Sequence, residues 1–152
     1  MSTLNQVTSP EITVERLGRE FRRADIEFEG VDHSGSTYEG RVFVNNPGAD
    51  ASTEPDADNG YAGSYYIFGH GGCYGDEGHC DVVPRSPYDP RPPHMLSPTR
   101  KVVIATDAIR RAADAGESLT VTVVPILMST TDQVLESETI PQFESVGIVT
   151  YQ

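Results

Sequence analysis

Cations are scarce in this chain of 152 residues: Lys101 is its only lysine, and 11 basic side chains stand against 23 acidic ones, for a net charge of −12. Nucleic acid and anionic membranes both require a basic face, so this balance argues against either as a partner. It suits plain solubility, or contact with a basic protein or with metal ions. Long apolar runs are missing as well. No segment is long enough to span a bilayer, and residues 1–11 lack the basic start and apolar core of a signal peptide. The cytoplasm is the expected location, unless a partner carries the chain elsewhere, and residues 1–11 are expected to be flexible. Cysteine occurs only twice, at Cys73 and Cys80, too sparsely for the disulfide framework of a small secreted scaffold. None is required, because a chain of this length buries roughly two-thirds of the surface its unfolded form exposes. One domain over residues 1–152 is expected.

What is present has period two. Residues 25–29 alternate charge with apolar bulk, a turn-forming stretch follows at 32–35, and residues 37–45 read as a second strand. The short connection predicts that these two strands pair as an antiparallel hairpin. Residues 47–60 form a loop rich in Ala, Asp and Pro. Strands are expected over 61–70 and 100–105, and a helix over 106–115, with Thr106 or Asp107 as its N-cap and Gly116 at its stop. A strand over 118–128 places Leu119, Val121 and Val123 on one side and Thr120 and Thr122 on the other. A last strand covers 144–151. The expected fold class is all-β and mainly antiparallel, a β-sandwich or flattened barrel with one short helix.

Residues 71–98 are the exception, with six prolines, four glycines and almost no apolar pattern. Irregular segments of that length usually carry function, cover something or are disordered. Pro84, Pro87, Pro90, Pro92, Pro93 and Pro98 could present a polyproline II ligand to a partner, or could stiffen a loop lying across its own sheet.

Three stretches, taken in order, carry a resemblance: Tyr38-Glu39-Gly40-Arg41-Val42-Phe43-Val44-Asn45-Asn46, then Tyr61-Ala62-Gly63-Ser64-Tyr65-Tyr66-Ile67-Phe68-Gly69-His70, then the helix and the Val-Thr-Val-Val-Pro strand ending at Pro125. Together they resemble the C-terminal domain of plant-type tyrosinases, catechol oxidases and related polyphenol oxidases. The resemblance implies a β-sandwich that packs on a catalytic helical bundle and covers its dicopper site, where six helical histidines hold the metals. This chain has four histidines, His33, His70, His79 and His94, none of them on the predicted helix. The implied role is that of a non-catalytic accessory or interaction domain. Its partner would be a protein, either an oxidase catalytic domain or a subunit of a larger assembly.

One cluster has the residue types of a metal centre. His70, Cys73, His79 and Cys80 supply two imidazoles and two thiols, a set that suits zinc or copper, within a glycine-rich stretch able to wind around an ion. Asp76, Glu77 and Asp81 add charge that favours a cation. The adjacency of His79 and Cys80 opposes this, since an extended backbone points neighbours to opposite sides. A Cys73–Cys80 disulfide, or two thiols in a turn, accounts for the same residues. A metal-binding module, such as a zinc or copper carrier, is the second functional class, and a structural subunit of a larger assembly is the third. The acidic loop Asp50, Glu54, Asp56 and Asp58 lacks the register of a calcium loop and reads as solvated. Cys73 with His70 or His79 could form a nucleophile and base, but no third group or oxyanion donor accompanies them.

Overall fold

The structure, a computed structural model, describes residues 3–17, 20–71, 75–128 and 139–152. In chain order the elements are β1 (Thr3–Leu4), β2 (Val7–Thr8), β3 (Ile12–Thr13), a short 3-10 turn (Val14–Leu17), β4 (Arg23–Val31) and β5 (Tyr38–Val44). They continue with β6 (Tyr61–Ile67), β7 (Thr99–Ile104), α1 (Thr106–Ala115), β8 (Ser118–Leu119), β9 (Val121–Leu127), β10 (Thr139–Ile140) and β11 (Ser145–Tyr151). Two sheets form the body, a three-stranded one ordered β11-β4-β7 and a four-stranded one ordered β2-β9-β5-β6. All their pairings are antiparallel. Two-residue ladders join β3 to β8 and, in parallel, β1 to β10. The sheets face each other as a sandwich and do not close into a barrel.

The alternation in the sequence explains the layers. Every second residue of β4 turns inward, so Ala24, Ile26 and Phe28 are buried, while Tyr38, Val42 and Val44 of β5, Tyr65 and Ile67 of β6 and Val121 and Val123 of β9 meet them from the other sheet. Phe28 sits at the centre, 5.0 Å from the Tyr65 ring and 5.2 Å, edge-on, from Phe143. Tyr65 packs edge-on to Tyr38, and their hydroxyls lie 3.2 Å apart. Burial pushes the Tyr65 hydroxyl's ionisation above the ordinary tyrosine range, because the phenolate would be formed away from water. Helix α1 closes one end of the sandwich with Ala108, Ile109 and Ala112 inward. Ile109 is fully buried, and this packing lets a helix of under three turns persist.

Four details depart from the sequence expectations. First, β4 and β5 do not pair, because they lie in different sheets. Both strands present apolar faces, and burying the two against each other across the sandwich removes more apolar surface from water than laying them side by side. Residues 32–37 are long enough to cross the gap of about 10 Å between sheets. Second, residues 7 and 8, where no strand was expected, form β2 on the edge of β9, and the Thr8 hydroxyl bonds that of the fully buried Thr122 at 2.9 Å. Third, neither Thr106 nor Asp107 caps the helix. Ala105 occupies the cap position without a side-chain bond, and Thr106 Oγ1 instead accepts from Ala24 N–H at 3.1 Å, tying α1 to β4. Gly116 does end the helix, in an extended conformation (φ −177°). Fourth, the strand expected over 118–128 breaks at Thr120, whose N–H donates to Asn45 Oδ1 at 3.0 Å. Asn45 adopts a left-handed conformation (φ 55°), which asparagine tolerates better than most residues. The Val-Phe-Val-Asn-Asn stretch thus ends β5 and launches the 46–60 loop.

That loop covers part of the outer face of the four-stranded sheet. Ala49 packs on Phe43 and Val124 to form a second, smaller core. Its acidic residues serve as turn acceptors. Asp50 takes bonds from the Ser52 N–H and hydroxyl, which hold its carboxyl below the ordinary range, and Asp56 caps the short 3-10 turn Ala57–Asn59.

Candidate docking surface

The long segment between β6 and β7 contains no helix or strand among its described residues, 71 and 75–98. It is nevertheless tied down at both ends by one turn. The Gly69 N–H donates to Thr37 Oγ1 at 3.0 Å, and the Gly71 N–H donates to the Gly35 carbonyl at 2.9 Å. The His33 carbonyl accepts from both the backbone N–H of His70, at 3.2 Å, and its ring Nδ1, at 3.1 Å. At the far end of the loop, His33 Nε2 donates to the Ser97 carbonyl at 2.7 Å. The turn at 32–37 therefore clasps the start and finish of the loop together, with the His33 and His70 rings 5.0 Å apart.

His94 contributes a third tie. Its Nε2 donates to the His79 carbonyl at 2.9 Å, and its Nδ1 accepts from Leu96 N–H at 3.1 Å. One ring nitrogen donates while the other accepts, so this geometry requires the neutral imidazole protonated at Nε2. Backbone staples of this kind are hard to find from sequence. His33 and His70 are 37 positions apart, and only the fold reveals that they are partners.

Beyond these ties the loop folds back on Arg85. Its guanidinium donates to the carbonyls of Arg91 and Pro92 and to Asp89. Asp89 also takes bonds from the Arg91 side chain and backbone N–H. These arginines hold the Asp89 carboxyl far below the usual carboxylate range, with Arg91 the larger influence. Pro87, Pro90 and Pro92, three of the six prolines of this segment, are therefore part of a closed loop over 85–92. At its apex Ser86, Pro87, Tyr88 and Asp89 form a tight turn, with Asp89 N–H bonded to the Ser86 carbonyl at 3.0 Å and Tyr88 N–H to Ser86 Oγ at 3.2 Å. Tyr88 stands at the tip, 91% exposed.

A carboxyl with a lowered pKa contributes stability above its ordinary value of 3.8 and loses it as pH falls below. The 85–92 loop is accordingly expected to stay closed down to about pH 4 and to open progressively in stronger acid. Asp89→Asn should open it at every pH. The Arg85 side-chain N–H resonance in a proton–nitrogen NMR titration reports this directly, and a resonance unchanged in D89N would disprove the staple.

A patch of exposed apolar side chains adjoins the clasp. Phe68 (79% exposed) and Met128 (52%) flank Thr37, and Tyr66 lies beside Glu39 on the same outer face of the sheet. Glu39 accepts from Ser64 Oγ at 2.8 Å and pairs with Arg41 at 3.3 Å. The patch therefore sets two aromatic rings and a thioether around a polar centre in which the buried Arg41 Nε has the Glu39 ion pair but no hydrogen bond.

The cluster with metal-ligand chemistry is only partly described. His70 is held against His33, the His79 carbonyl is bound by His94, and Cys80 is disulfide-bonded. Cys73 lies outside the described residues, and both the four-ligand set and the Cys73–Cys80 disulfide depend on it. Among the described residues no three His, Cys, Asp or Glu side chains are grouped to hold a metal ion. Nor is any helix among them long and apolar enough to cross a membrane.

The fold is a β-sandwich that recurs as one segment of larger solved structures. No protein-family model and no curated protein matches the sequence, but solved structures match the fold. A recombinantly expressed latent aurone synthase (polyphenol oxidase) superposes with a TM-score of 0.52 at 13% identity, over 100% of this chain and 26% of that one. The latent aurone synthase from its natural source gives 0.51 at 17% identity, over 98% and 25%. This chain thus has the fold of a segment of polyphenol oxidase, and it spans about a quarter of the length of the structures it matches.

Proposed function

We propose that this chain is a non-catalytic accessory domain that docks on a protein partner, with an oxidase catalytic domain as the partner class. The observation that carries this reading is the whole-chain likeness to a quarter of a polyphenol oxidase, a proportion that fits a C-terminal domain and leaves the catalytic bulk elsewhere. The chemistry of the chain agrees. None of the four histidines lies in α1, and the rings of His33, His70 and His94 each bond backbone carbonyls, holding the loop in shape. The docking element is the closed loop with Tyr88 at its apex. A rigid, exposed tyrosine loses little conformational freedom on burial, and aromatic anchors of that kind dominate interfaces.

Affinity purification of the tagged chain from its native host tests this. The retained protein is expected to oxidise catechol, and Tyr88→Ala should weaken its retention about tenfold or more with the thermal midpoint of the chain unchanged. Retention of no oxidase, or catechol oxidation by the isolated chain itself, would overturn the reading.

A further inference from the structure

Exposed sheet edges invite pairing with other strands, and folded proteins usually guard them with charge, proline, bulges or short length. Most edges here are guarded. β2 is two residues long. β7 carries Arg100 and Lys101, and its register breaks after Phe28 of its partner. The β5–β6 register breaks between Val42 and Phe43, and β6 lies against β7 so closely that a Cβ on Gly63 would stand 2.7 Å from Val103.

Among the described residues β11 has no such guard. Its sequence, Ser-Val-Gly-Ile-Val-Thr-Tyr, has neither charge nor proline, and it runs in unbroken register along β4 from Ser145 opposite Glu29 to Tyr151 opposite Arg23. All seven residues keep some exposure, and among the described residues no strand pairs with its outer edge.

We propose that β11 is a self-association edge, on which a second copy of this chain pairs antiparallel to form a continuous six-stranded sheet. The strand is complementary to itself about Ile148. That register sets Ile148 beside its own symmetry mate, Val146 beside Thr150, Gly147 beside Val149, and Ser145 beside Tyr151, without a buried charge or a clash of bulk. The surrounding charges select the same arrangement. Glu144 adjoins the Ser145 end, while Arg22, whose N–H donates to the Tyr151 carbonyl at 2.7 Å, adjoins the other. Both side chains are exposed. The Glu144 side chain lies over Gly30 of β4, so antiparallel pairing sets the acidic end of each copy beside the basic end of the other at the range of screened charges, whereas parallel pairing would set like charges together. The two-fold arrangement is the commonest symmetry for soluble homo-oligomers. A single pair of edge strands buries less than the roughly 1,200–2,000 Å² of a stable interface, so the dimer is reversible and concentration-dependent.

Sedimentation velocity on the full chain tests this. The mass is expected to rise from 16.5 kDa toward twice that value as concentration increases from about 1 μM to about 1 mM. Gly147→Lys combined with Val149→Lys would place lysines face to face across the pair. A side chain at 147 meets nothing within 4 Å in the monomer, so the variant should fold and remain monomeric throughout. Arg22→Glu or Glu144→Arg alone should weaken the dimer about tenfold, and the double swap should restore it. A monomer at every concentration, a dimer indifferent to the lysines, or a swap without rescue would each overturn the proposal.

Discussion

Phe28→Ala is expected to lower the unfolding free energy by about 3–5 kcal/mol, the range for removing a large aromatic side chain from a packed core. Phe28 has no exposed surface, and its ring is gripped from two directions, by Tyr65 of the opposite sheet and by Phe143 on the approach to β11. Alanine would lose the transfer energy of the ring and both aromatic contacts. It would also leave a void between two sheets that cannot easily approach, because the neighbouring Ile26, Tyr38 and Val42 already hold them apart. A loss this large is a substantial share of the stability of an ordinary domain. Equilibrium urea denaturation, followed by tyrosine fluorescence or circular dichroism, gives the value. A loss under about 1 kcal/mol would mean that the core tolerates the void and that the sandwich is less tightly determined than its packing indicates.

Gly69→Ala should have a comparable effect in a different place. A Cβ at this position would lie 2.0 Å from the Gly35 carbonyl oxygen and 2.5 Å from the Ser36 carbonyl carbon, both backbone atoms that cannot rotate away. The end of β6 and the turn at 32–37 must therefore separate. Separation strains or breaks the bonds from Gly69 to Thr37, His70 to His33 and Gly71 to Gly35. Overpacking of this kind costs about 1–3 kcal/mol. The larger consequence falls on the loop, which loses one of its two anchorages. Amide hydrogen exchange over residues 75–98 should accelerate markedly in this variant while β4 and β9 keep their protection. Gly147→Ala, at a position with open space around it, supplies the control. Unchanged exchange in the loop would show that the clasp does not govern its order.

The strands and the helix were readable because their side chains alternate or recur with clear periods. Leu119, Val121 and Val123 pointed inward as expected, and 106–115 is the helix to the residue. Pairing was less legible. The six-residue link between β4 and β5 reads as a hairpin from sequence, since nothing local tells a turn within a sheet from a crossing between two. The helix cap failed for a related reason, because the Thr106 hydroxyl had a better acceptor role toward β4, 82 positions away. The site was legible only in outline. The length and composition of the 71–98 segment marked it, but its shape depends on Arg85 curling back to the carbonyls of Arg91 and Pro92, a local contact without a sequence signature, and on His33 reaching Ser97, 64 positions away.

The placement of β4 sets a timetable for folding. Its hydrogen-bonding partners are β7 and β11, and β11 is the last strand of the sequence in hand. During synthesis the apolar inner face of β4 must wait, with one edge open, for more than a hundred residues to follow. A topology so dominated by distant pairings belongs to the slower, millisecond-to-second folders, and a stalled or truncated chain would offer Ile26 and Phe28 to any passing strand.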